Sequence, residues 1–268
     1  MNISAVILTK NEEKDICDCL ESLEFCTEII IIDDYSTDRT LAEIQKLKVK
    51  SPNYKSKVKI IERELKGDFA AQRNFGMKQV VGDWILFVDA DERVTEKLKN
   101  DIAHAVGADH RSARAVNAFY IKRRDFWWGR ELRYGETAKA RNKGIVRLVK
   151  KDSGIFLGDV HEVFYTAANV GMLDGYLNHY PHPTVKDFLE DINKYSTIRA
   201  RELYDQGKTA NLFQIIFYPL IKFKLNYFMY GGFLDGPAGF AYSFFMSFHS
   251  FLVRVKLYQF NRISANHV

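Results

Sequence analysis

Two aspartates one residue apart, Asp89 and Asp91, close an apolar run from Trp84 to Val88 in a sequence of 268 residues. Ionised carboxylates so near one another repel. A divalent cation bridged to phosphate oxygens removes that cost, and Mg2+ or Mn2+ favours such mixed carboxylate and phosphate ligands. The competing reading is a solvated acidic turn. A second acidic cluster, Asp33-Asp34-Tyr35-Ser36-Thr37-Asp38, closes the run Glu28 to Ile32. Asp33 or Asp34 can accept hydrogen bonds from a base N–H or a ribose hydroxyl. In the same cluster Ser36 or Thr37 suits a helix N-cap, with Asp38 meeting the helix dipole. Further on, Gly67 to Asn74 opens a helix in which Arg73 is either a fixed cation for a diphosphate or ribose or a plain surface residue.

The elements that must hold these residues alternate. Ile3 to Leu8 reads as a strand, followed by a polar cluster in which Asn11 suits an N-cap, and then a helix carrying Ile16, Leu20 and Leu23. Glu28 to Ile32, Val58 to Ile61 and Trp84 to Val88 read as further strands, with helices expected over Thr37 to Leu47 and Phe69 to Val80. Continuous apolar strands alternating with helices imply βαβ units and an α/β, doubly wound, mostly parallel, Rossmann-like sheet. Ligands bind beyond the C-terminal strand ends of such sheets, where both acidic clusters fall. Downstream, Phe119 to Lys122 and Ile145 to Val149 read as strands flanking a loop around Phe126-Trp127-Trp128, and Val185 to Leu203 as a long helix.

Composition narrows the classes. Hydrophobic content of 47% and charged content of 27% describe a folded globular chain. A net charge of +5, without a basic stripe interleaved with aromatics, gives no nucleic-acid signal. Cys17, Cys19 and Cys26 lack histidines at ligand spacing and read as small apolar residues in a reducing compartment. The first residues lack a basic segment and cleavage site, so no signal peptide is expected. From Leu212 the chain becomes aromatic and apolar. Pro219, with Lys222 and Lys224 just beyond, argues against a spanning helix there, and Ser243, Ser247, His249 and Ser250 polarise the uncharged stretch from Gly236 to Val253. An interfacial amphipathic pair fits, with Lys222, Lys224, Arg254 and Lys256 facing anionic headgroups; a soluble helical hairpin is the other reading.

The segments Ala5 to Glu12, Ile32 to Asp38, Gln72 to Gly76 and Gly82 to Glu92 together resemble glycosyltransferase family 2, and within it the lipopolysaccharide core β-glucosyltransferases. The likeness continues through Gly158-Asp159-Val160-His161-Glu162, His179-Tyr180, Asn193 to Ser196 and Phe233 to Gly239, covering nearly the whole chain. It implies a GT-A fold, residues 1–205 forming a catalytic domain and 206–268 a C-terminal helical, membrane-associating extension. It implies metal-dependent, inverting transfer of a glucose-like hexose from a nucleotide-diphosphate sugar to a lipid-linked saccharide. The alternatives are transfer to a polyprenyl phosphate, or a non-catalytic sugar-nucleotide or membrane-binding module. By the same resemblance Asp91 is the metal ligand, Asp89 lies near the donor ribose or sugar and can share the metal, and Thr9, Asn11, Glu12, Asp33, Asp34, Gln72, Arg73 and Asn74 line the donor site. His179 either completes the metal or diphosphate site or is a loop histidine bonded to backbone. Tyr35 stands where relatives commonly carry glycine. Many relatives place the base in a Glu-Asp dipeptide; here Glu162 is the candidate, with His161 as an alternative base or positioning group. The implied location is the cytoplasmic face of the inner membrane, peripheral or monotopic.

Overall fold

The structure, a computed structural model, describes residues 2–107, 116–158 and 162–265. Its elements in chain order are β1 (Ile3–Thr9), α1 (Ile16–Ser22), β2 (Glu28–Asp33), α2 (Thr40–Lys50), α3 (Pro52–Lys57), β3 (Val58–Glu62), α4 (Phe69–Gln79), β4 (Trp84–Asp89), β5 (Glu92–Val94) and α5 (Glu96–Gly107). There follow β6 (Val116–Trp127), β7 (Arg130–Leu132), α6 (Ala138–Lys143), β8 (Ile145–Lys150), β9 (Ile155–Leu157), β10 (Val163–Tyr165), β11 (Asn169–His179), α7 (Val185–Asp205), α8 (Leu212–Lys224) and α9 (Gly236–Ala265).

The chain divides into two compact units. The first, residues 1–124 and 142–179, is built on a mixed sheet ordered β3-β2-β1-β4-β8-β6-β11-β5. The four strands read from their apolar runs are its parallel part: β2 and β4 flank β1, and β3 lies beside β2. From β4 onward the pairing turns antiparallel, through β8 and β6. The isoleucines of β2 are buried on both faces of the sheet: Ile29 and Ile31 join one apolar cluster, Ile30 and Ile32 the other. α4 lies close on this sheet because Gly76 has no side chain; a Cβ there would stand 2.5 Å from Val6 Cγ1.

Local capping departs from expectation. α1 starts after Asp15, and Asn11, with φ +57°, instead bonds the loop after β2. α2 starts after Arg39, and Ser36 turns back onto Asp33 while Asp38 accepts the Thr40 N–H. Asn11 and Ser36 are thus taken up within the two loops, while Asp38 meets the first turn of α2 as expected.

The second unit, residues 125–141 and 180–268, is wider than the expected extension. α7 belongs to it because Phe188 and Ile192 share an apolar core with Trp127, Leu132 and Ala238. The expected loop at Phe126 is instead the end of β6, turning through Trp128 and Gly129, both at positive φ, into β7. Pro237 stands in the first turn of α9, and Gly239 is bare because a Cβ there would meet the Gly232 carbonyl at 2.0 Å. No residue of α8 is buried. Leu212, Phe213, Ile216, Phe217, Leu220 and Ile221 are all exposed, Leu212 at 69%. Three of the four cations expected to face headgroups have partners within the chain. Lys222 pairs with Glu136 at 2.7 Å, Arg254 lies over the Tyr218 ring, and Lys256 bonds Ser196, Thr197 and the Asn193 carbonyl on α7. Among the described residues no helix is long and apolar enough to cross a membrane.

Candidate active site

The ends of three parallel strands bring the acidic clusters together. In register, Thr9 on β1 faces Asp33 on β2, and Leu8 faces Asp89 on β4. Asp33 is fully buried and accepts the Ser36 N–H at 2.8 Å and the Ser36 hydroxyl at 2.5 Å. Asp34 accepts the Leu65 N–H at 2.9 Å and pairs with Lys10 at 3.0 Å. Asn11 accepts the Thr37 N–H, its own N–H goes to Ser36 Oγ, and the Glu12 N–H goes to Thr40 Oγ1. These bonds weld the β1 and β2 loops into one rim. Tyr35 sits in that rim at φ +53°, the left-handed region that a glycine occupies without strain. Thr9 Oγ1 is buried beside the rim and makes no hydrogen bond.

Behind the rim runs a ladder of alternating charge. Arg73 on α4, only 2% exposed, donates from Nε to Glu162 at 2.7 Å and from Nη2 to Asp89 Oδ1 at 2.9 Å. Arg147 on β8 donates from Nη2 to Asp89 Oδ2 at 2.5 Å and lies 3.5 Å from Glu92 Oε1. Arg123 Nη1 lies 3.6 Å from that same oxygen. The second Glu92 oxygen accepts the Asp89 N–H at 3.0 Å. Burial would raise the pKa of Asp89, but Arg147 and Arg73 overcome it and hold the carboxyl well below the usual range. Burial pushes Glu92 up, and Asp89 adds to the push. Asp91 is lowered because His179, its Nε2 3.1 Å from Asp91 Oδ2, outweighs the burial that would raise it.

Several expected donor and metal residues also have partners within the protein. Asp89 accepts an arginine on each oxygen, and 28% of its side chain stays open. Arg73 is no surface residue and offers no open fork, since two of its three nitrogens are bound; the third, Nη1, is buried without a hydrogen bond. Gln72 binds the side chain and carbonyl of Arg63. Asn74 clamps the backbone of Phe156 through both its amide atoms. His161 lies outside the described residues. Arg147 and Glu92 escaped sequence reasoning, although an arginine inside the apolar run Ile145 to Val149 is the signature of a buried, paired charge.

Among the described residues no three His, Cys, Asp or Glu side chains gather as a metal cage. A cation that keeps phosphate and water ligands needs only one or two protein groups. Asp91 and His179, 3.1 Å apart, have the spacing of two ligands on one octahedral cation, which lie about 3 Å apart when each bond is about 2.1 Å, and the imidazole nitrogen suits Mn2+ over Mg2+.

The profile of Glycosyl transferase family 2 matches residues 4–180. The lipopolysaccharide core biosynthesis glycosyltransferase LpsC of Rhizobium meliloti is 30% identical over 268 residues, covering 98% of this chain and 94% of that one. An uncharacterized glycosyltransferase of Rickettsia typhi is 27% identical, covering 98% and 89%. Among solved structures, the mannosyltransferase PcManGT from Pyrobaculum calidifontis, in complex with GDP-Man and Mn2+, superposes with a TM-score of 0.55 at 13% identity, covering 96% of this chain and 86% of that one, a likeness of fold.

Proposed function

We propose, from the premise that the chain belongs to glycosyltransferase family 2, that it moves a hexose with inversion onto a lipid-linked saccharide such as lipopolysaccharide core, with Glu162 as the base. Membership makes the protein a nucleotide-sugar glycosyltransferase of GT-A fold and sets aside the non-catalytic module. The observation that carries the mechanism is the single guanidinium of Arg73, which joins Glu162 to Asp89. Acceptor base and donor-side carboxylate are thereby held in one frame.

In this reading a Glu162 oxygen takes the proton of the acceptor hydroxyl while that hydroxyl's oxygen attacks the anomeric carbon and the bond to the diphosphate breaks. The Asp33, Asp34 and Asn11 rim orients the nucleoside. Asp91 and His179 would hold a divalent cation, which would supply positive charge to the leaving diphosphate. No covalent intermediate on the protein is required. The bare apolar face of α8 supports an interfacial membrane attachment, which would bring the enzyme to a lipid-borne acceptor.

Glu162→Gln tests the base. Turnover is expected to fall on the order of 10²- to 10⁴-fold while nucleotide-sugar binding persists. Undiminished turnover would remove Glu162 from the reaction.

A further inference from the structure

We propose that Arg147 is a positioning residue for sugar transfer, acting through Asp89. It stands in the middle of β8 among apolar neighbours and is 5% exposed. A buried guanidinium is costly unless paired, and for stability alone an apolar side chain would serve a strand interior as well. What an apolar residue could not do is grip a carboxylate. Asp89 is held at three points: Oδ1 by Arg73, Oδ2 by Arg147, and its backbone N–H by Glu92. Two guanidinia on its two oxygens fix the rotation of the carboxylate, which Arg73 alone would leave free to follow its own motion. The Asp89 side chain nevertheless keeps 28% of its surface open. Arg147 thus stands one step back from the reacting groups, bracing the carboxylate from the β8 side while Arg73 links it to Glu162.

The inference rests on the reading that Asp89 belongs to the donor-side machinery. Loss of orientation falls on the transition state more than on ground-state binding. Steady-state kinetics of the full chain, with the nucleotide sugar that wild type uses, should therefore show Arg147→Met lowering kcat about 10- to 100-fold with donor KM changed less than about threefold. Arg147→Lys restores the charge and should recover kcat to within about fivefold of wild type.

The deciding measurement is a double-mutant cycle with Asp89→Asn. If Arg147 works through Asp89, the pair of substitutions is no worse than Asp89→Asn alone to within about threefold. Losses that multiply, an Arg147→Lys that recovers nothing, or an Asp89→Asn with wild-type turnover would each overturn the proposal. Should Arg147→Met fail to fold, Arg147→Gln, which keeps an N–H donor but no charge, takes its place in the cycle, its loss vanishing in the Asp89→Asn background. Failure of the base assignment would be distinguishable, since Glu162→Gln would then turn over normally while the Arg147–Asp89 cycle still showed its coupling.

Discussion

The two units place their charged and apolar groups in opposite ways. In the first, Arg73, Arg147, Asp89 and Glu92 are drawn inside, where each charge faces an opposite one. In the second, the phenylalanines, leucines and isoleucines of α8 lie outside. Both arrangements are unfavourable for an isolated soluble fold, one through desolvation and the other through wetted apolar area. On the proposed function each has a use: a charged donor and its proton transfer in one case, an apolar membrane surface in the other.

Breaking the ladder should have the largest effect. Arg73→Met leaves Glu162 without its cation and Asp89 with Arg147 alone, so turnover should fall beyond detection and stability by about 3 kcal/mol in chemical denaturation. Near-normal turnover would mean that the ladder only braces the fold. The pH dependence sharpens the same point. The folded pKa of Asp89 is depressed, so its stabilisation is present above its unfolded pKa of about 3.9 and is lost as pH falls below it. Asp89→Asn should flatten the acid limb of a stability-versus-pH curve, whereas an unchanged limb would assign acid unfolding to other carboxylates.

A milder effect is expected at the other unit. Phe217→Asp with Leu220→Asp should abolish co-sedimentation with anionic phospholipid vesicles while altering unfolding free energy by no more than about 0.5 kcal/mol per site. Retained sedimentation would remove α8 as the attachment. Smallest in its effect on vesicle binding is Lys256→Met, which takes a hydrogen-bonding cation away from α7 and should cost about 1–2 kcal/mol of stability alone. Loss of vesicle binding in that variant would return Lys256 to the headgroup role that its α7 contacts argue against.

The parallel half of the first unit was legible because its strands are unbroken apolar runs, two of them closing on the aspartates of the site. A strand that must be buried on both faces declares itself locally. The partners of those acids did not. Arg147 meets Asp89 across 58 residues, and Glu162 meets Arg73 across 89, distances over which no periodicity informs. β11, whose pattern mixes exposed and buried residues with glycines, also gave no clear signal. At the C-terminal end, apolar content was legible but direction was not. The sequence shows Lys222, Arg254 and Lys256 beside an apolar stretch, and only Glu136, Tyr218 and α7 reveal which way they point.

Three consecutive residues of α4 reach three separate places: Gln72 to Arg63 beyond β3, Arg73 to Asp89 and Glu162, and Asn74 to Phe156 on β9. The helix seats on β1 where Gly76 meets Val6. For a lineage exploring new acceptors this is a constraint with a particular shape. A methyl group at position 76 would lift all three attachments at once, although residue 76 touches no reacting group. Position 76 is therefore bound by the packing of α4 on β1, whereas the bare face of α8 carries no such tie.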